Sequence, residues 1–119
     1  MKINPWRTVV TAEGQRSLEL VRSEWNESRL TLVVEDKSSV KYEIVFDDVI
    51  CYRASGEQTF TLLEKIEWPE GALFVVSGAN WTKPLRMENY AGEHYVVFTY
   101  DWVVEVLAKS VAVRTLPRE

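Results

Sequence analysis

The chain has 119 residues, of which 46% are apolar and 27% charged, and eighteen acidic against fourteen basic residues leave a net charge of −4. A chain of this size and balance builds one packed core without a metal or disulfide staple, far from the composition of disorder. No basic cluster is long enough to follow a phosphate backbone, so direct nucleic-acid binding is not expected.

In chain order, Met1-Lys2-Ile3-Asn4-Pro5-Trp6-Arg7 lacks the apolar core of a secretion signal, and no stretch of ~18 apolar residues follows that could span a bilayer. The reading is a soluble cytoplasmic protein with no membrane contact. Leu18 and Leu20 alternate with Glu19, and Asn26-Glu27-Ser28 supplies turn chemistry, so residues 17–36 read as a hairpin. Its second strand sets Leu30, Leu32 and Val34 against Arg29, Thr31 and Glu35. After the polar turn Asp36-Lys37-Ser38-Ser39, Val40, Tyr42, Ile44 and Phe46 repeat the alternation against Lys41 and Glu43.

Residues 49–54 form a further short strand ended by Ser55-Gly56, while Phe60 to Trp68 fits a strand or a short helix, with strand preferred. Pro69-Glu70-Gly71 is a turn, and Ala72-Leu73-Phe74-Val75-Val76 is a continuous apolar run suited to a strand covered on both faces. Gly78 to Gly92 reads as a long connection with room for one helical turn. Tyr95–Tyr100, Trp102–Leu107 and Val111–Arg114 return to strand character, although Asp101 could instead cap a short helix through Lys109. The expected fold is one mainly β domain over residues 1–119, with α+β as the variant. It is an antiparallel meander forming a sandwich or strongly bent sheet with at most one or two short helices.

No catalytic constellation assembles from these residues. Asp47 and Asp48 are an adjacent carboxylate pair, but neighbouring strand residues point to opposite faces, so they read as turn residues. His94 is the only histidine, and a zinc site would have to recruit Cys51 and carboxylates without the usual close ligand spacing. As a general base His94 has Glu93 beside it but no nucleophile setting, and a structural hydrogen bond is its expected role. Cys51 is the only cysteine; between Ile50 and Tyr52 it reads as a buried small hydrophobe in a reducing compartment. The five glycines have no phosphate-cradling spacing. Neither a cofactor nor a metal is expected, and an unrecognised enzyme acting through His94 or Asp48 is the least favoured of the function classes left open.

The aromatic content is more informative, because Trp6, Trp25, Trp68, Trp81 and Trp102 are many for this length. Trp and Tyr are the preferred anchors of protein interfaces as well as core filler. Trp102 and Tyr42 fall in strand patterns and are expected in the core, whereas Trp68 and Trp81 flank turns. The candidate partner-binding surface is therefore the region from Glu64 to Tyr90, with Trp68, Trp81 and Tyr90 as apolar anchors and Glu64, Glu70 and Glu88 as an acidic rim. On that reading Trp81→Ala weakens partner binding without lowering the melting temperature. An exposed Trp could equally stack on a sugar, which keeps a small-ligand or carbohydrate-binding domain as the alternative.

Two phrases carry a resemblance. Phe46, Val49 and Cys51-Tyr52-Arg53 follow a pattern F-x-x-V-x-A-Y-R, with Cys51 in place of Ala. His94-Tyr95, Val97, Thr99, Asp101 and Val106-Leu107 follow H-Y-x-I-x-T-x-D-x-x-x-x-V-L, with Val97 for Ile. Over residues 45–116 the chain thereby resembles small bacterial immunity-like proteins associated with polymorphic toxin systems. What the resemblance implies is a protein that occupies a toxin's surface and silences it, and an acidic chain suits a basic toxin domain.

Overall fold

The computed structural model describes residues 2–10, 14, 16–56, 68–77 and 92–117. Among these the chain is mainly β, two antiparallel sheets packed as a sandwich, and no helix is present. The strands are β1 (Lys2–Pro5), β2 (Glu19–Asn26), β3 (Arg29–Glu35), β4 (Lys41–Asp47), β5 (Cys51–Gly56), β6 (Leu73–Ser77), β7 (Glu93–Phe98), β8 (Trp102–Ala108) and β9 (Ser110–Thr115). One sheet runs β1-β6-β7-β8-β5 and the other β2-β3-β4-β9.

The four-stranded sheet follows from alternation. Leu30, Leu32 and Val34 stand opposite Phe46, Ile44 and Tyr42 on its inner face, all at most 4% exposed, while Glu35, Lys41 and Glu43 share the outer face with Thr31, Val33 and Val45. Burying a side chain such as Phe46 completely contributes about 2–3 kcal/mol. The five-stranded sheet instead uses unbroken apolar runs, because both of its faces are covered: five of six residues of β7 and six of seven of β8 are buried. Trp6 joins the layers, its ring 5.0 Å from Tyr95 and 6.1 Å from Phe46.

A bent ribbon connects the two sheets. β4 continues into β5 through Asp48-Val49-Ile50, and β8 continues into β9 through Lys109 alone, so the paired strands 41–56 and 102–115 cross from one layer to the other together. The register slips by one residue at the corner, from Asp47 opposite Ser110 to Cys51 opposite Leu107. Asp48 absorbs the slip with φ of 52°, a left-handed conformation that Asp tolerates better than most residues. Val49 tucks inward at 7% exposure and its N–H donates to the Ser28 carbonyl at 2.9 Å. The first of the two phrases quoted above is this corner, and the second is the pair of strands β7 and β8 beside it.

Two expectations are corrected here. Trp102, expected in the core, is 46% exposed because it opens β8 opposite Gly56, which offers no side chain to cover it. The alternative of a helix from Asp101 to Lys109 is also overturned, since Trp102–Ala108 between them form β8. The N-terminal strand β1 is an addition: four residues ending in Pro5 carry no alternation to read, and an edge is where a strand tolerates proline.

Candidate functional site

Of the expected partner-binding residues, Trp68 and Glu70 are described, and Glu64, Trp81, Glu88 and Tyr90 lie outside the described residues. Glu70 is exposed in the turn before β6. Trp68 is not an exposed anchor: it is 9% accessible and covers the outer face of the five-stranded sheet, its ring 5.1 Å from Phe74 and 4.9 Å edge-on from Phe98. The apolar outer face formed by Phe74, Val96 and Phe98 has to be shielded from water, and a bulky ring does this at about 150–250 Å² of burial.

The same face contains a cluster of titratable groups fixed inside the protein. Glu105, in mid-β8, is 0% exposed; its Oε1 accepts from the Arg53 Nε at 2.6 Å and its Oε2 lies 3.0 Å from the His94 Nε2. Register places Cys51 and His94 on either side of Leu107, so a leucine side chain separates the thiol from the imidazole. Burial pushes the Cys51 thiol up from its ordinary value, against the opposing pull of Arg53, which is the reverse of nucleophile activation. A general base has to reach a substrate proton, and the side chains of His94 and Glu105 are 3% and 0% exposed. His94 has in Glu105 the structural hydrogen-bond partner expected of it. Asp47 pairs with Arg29 at 2.7 Å at the end of β4, so the adjacent carboxylates Asp47 and Asp48 are corner residues that do not act jointly. Among the described residues no His, Cys, Asp and Glu group is arranged to hold a metal ion.

The exposed chemistry lies at one end of the sandwich, where the β7–β8 turn, the β3–β4 turn and the start of β2 meet. A cavity of about 290 Å³ opens there, lined by Glu19, Glu35 and Asp36, by the cations Arg16 and Lys37, and by Tyr100. Glu19 and Glu35 stand directly opposite each other on the β2–β3 ladder. Like charges so placed repel, at a cost of a few tenths to about 1 kcal/mol. Tyr100 is 53% exposed and has the Arg16 guanidinium 4.7 Å above its ring, a cation–π arrangement.

The walls of this end are held firmly. The Tyr100 N–H donates to the Leu18 carbonyl at 2.7 Å, and the Thr99 hydroxyl donates to the Trp102 carbonyl at 2.8 Å while accepting from the Trp102 N–H at 3.1 Å. Asp36 Oδ1 accepts from the N–H groups of Ser38 and Val40 at 2.9 and 3.0 Å, and Oδ2 from the Tyr42 hydroxyl at 2.9 Å. Asp36 is thereby committed to its turn, and Glu19 and Glu35 are left facing the opening. The signal for this site in the sequence is Tyr100-Asp101 between two apolar runs, a hairpin turn that has to expose its aromatic residue.

A larger groove of about 880 Å³ crosses the outer face of the four-stranded sheet past Arg22, Val33, Lys41 and Leu116; the described residues lining it include no aromatic ring. A second exposed aromatic pair, Trp25 and Tyr52, 44% and 41% accessible, bridges the two sheets at their open side with rings 5.2 Å apart. Among the described residues no helix is long and apolar enough to cross a membrane. No family model, no curated protein and no solved structure matches this chain.

Proposed function

We propose that the chain is a non-catalytic protein-binding module of the immunity type, and that its acidic aromatic end receives a basic side chain of a cognate toxin domain. The observation that carries this reading is the opposition of Glu19 and Glu35 in a cavity wall beside the exposed ring of Tyr100. An incoming guanidinium relieves the repulsion, bonds both carboxylates and lies against an aromatic face, a combination typical of interface hot spots. The net charge of −4 adds attraction at long range, which raises the rate of encounter.

Co-expression with the toxin-like C-terminal domain encoded nearest to this gene tests the reading, scored by cell survival and by a stoichiometric complex. Rescue by the unaltered chain, lost on Tyr100→Ala or Glu35→Lys and kept on Glu70→Gln, supports it. Rescue that survives both end substitutions places the contact elsewhere, and death without a complex removes the pairing. The exposed Trp25–Tyr52 pair supports a second reading, a small-ligand or carbohydrate-binding domain. Tryptophan fluorescence quenched by a sugar, and unaffected by it in Trp25→Phe, would favour that alternative.

A further inference from the structure

The free edge of β2 is complementary to itself, and we infer that two copies of the chain associate by pairing their β2 strands antiparallel about Ser23. Among the described residues β2 is the outermost strand of its sheet, and Val21 through Asn26 are all exposed. An edge of this kind presents unpaired N–H and C=O groups and pairs readily with another strand.

Backbone geometry limits the possible registers. The β2–β3 hairpin closes through Glu27 and Ser28, with Asn26 opposite Arg29. In a two-residue hairpin that flanking pair is hydrogen-bonded, so Asn26, Glu24 and Arg22 direct their main-chain groups at β3 while Trp25 and Ser23 direct theirs at the open edge. A second strand can therefore dock only with outward residues facing outward residues, which leaves two-fold centres at Arg22, Ser23 or Glu24. Centring on Arg22 sets two guanidinium groups against each other, and centring on Glu24 sets two carboxylates together. In both cases the like pair falls at the closer, non-hydrogen-bonded position.

Centring on Ser23 is different. Arg22 of each copy then faces Glu24 of the other at the close position, twice by symmetry, and both are exposed. An interface in which one patch meets itself and closes is the usual form of a homodimer. The register shift between Leu20 and Arg22 interrupts the edge at Val21, so pairing stops there and does not propagate into a fibre.

Sedimentation equilibrium of the full chain tests the arrangement, with circular dichroism confirming the fold of each variant. The unaltered chain is expected to dimerise, and Arg22→Glu or Glu24→Arg alone to weaken dimerisation by about tenfold or more. The double variant R22E/E24R is expected to regain it. An equimolar mixture of the two single variants is expected to form a heterodimer, because one supplies two acidic positions and the other two basic ones; this arm holds even if the double variant does not fold. A monomeric unaltered chain, single variants that dimerise as well as it does, or folded variants that fail to recombine would each overturn the inference.

Discussion

Glu105 stands directly opposite Arg53 on the β5–β8 ladder, and its Oε1 lies 2.6 Å from the Arg53 Nε with the carboxylate wholly shielded from solvent. The Arg53 side chain is 39% exposed, so the cation reaches inward from the surface to neutralise a charge that water cannot. Removing one partner of such a pair leaves an uncompensated buried charge. Arg53→Met should therefore cost about 3 kcal/mol in urea unfolding. Arg114→Met, which breaks the more exposed pair with Glu43, should cost no more than about 1 kcal/mol. Equal losses would mean that water reaches Glu105.

Trp68 and Trp102 should separate in the same assay. Trp68, packed edge-on against Phe98, should lose about 3–5 kcal/mol on replacement by Ala. Trp102, 46% exposed, should lose no more than about 1 kcal/mol. A reversed order would return Trp68 to the surface and Trp102 to the core.

The opposed carboxylates make a prediction of opposite sign. If Glu19 and Glu35 repel in the free protein, Glu35→Gln should raise stability by a few tenths to about 1 kcal/mol, most at low salt. The same variant should bind the cognate basic partner less tightly. A neutral or negative change in stability at low salt would show that the repulsion is already relieved within the chain.

Tyr95 contributes to the loss of stability at alkaline pH. Burial, with help from the nearby charge of Glu93, raises its pKa above the usual 10.0. The native ring thus keeps its proton at a pH where the unfolded chain has lost it. The contribution is intact below about pH 10 and is lost as pH rises towards the native value. Cys51, also raised by burial, acts with the same sign from about pH 8.5 upward. Melting temperatures between pH 8 and 11.5 should fall less steeply for Tyr95→Phe than for the unaltered chain, and parallel curves would exonerate the ring.

The strands with strict alternation were legible because side-chain period and exposed face coincide, as in Leu30, Leu32 and Val34. The unbroken run of β6 was legible as a strand covered on both faces, and β7 and β8 as strand character, with a helix left open for 101–109. Trp102 misled because the same apolar pattern accommodates an exposed first residue whose neighbour across the ladder is glycine. Trp68 misled because a residue beside a proline turn can fold back over a distant sheet face, a relationship that period and turn chemistry do not encode. The end cavity was illegible for the same reason: Glu19, Glu35 and Tyr100 are brought together only by strand pairing and by the bond from the Tyr100 N–H to the Leu18 carbonyl.

The corner ribbon also sets the order of assembly during synthesis. β4 pairs with β3 on one side, but its other neighbour and the neighbour of β5 both lie in 102–115, so a chain still being made can form the β2–β3–β4 meander but can finish neither layer. Until the last strands emerge, the inner surface of that meander stays wet and open to mispairing. Pairings this distant in sequence make folding slow, on the millisecond-to-second scale. Closing the ribbon joins both layers in one event, so neither half has an independent melting transition to report.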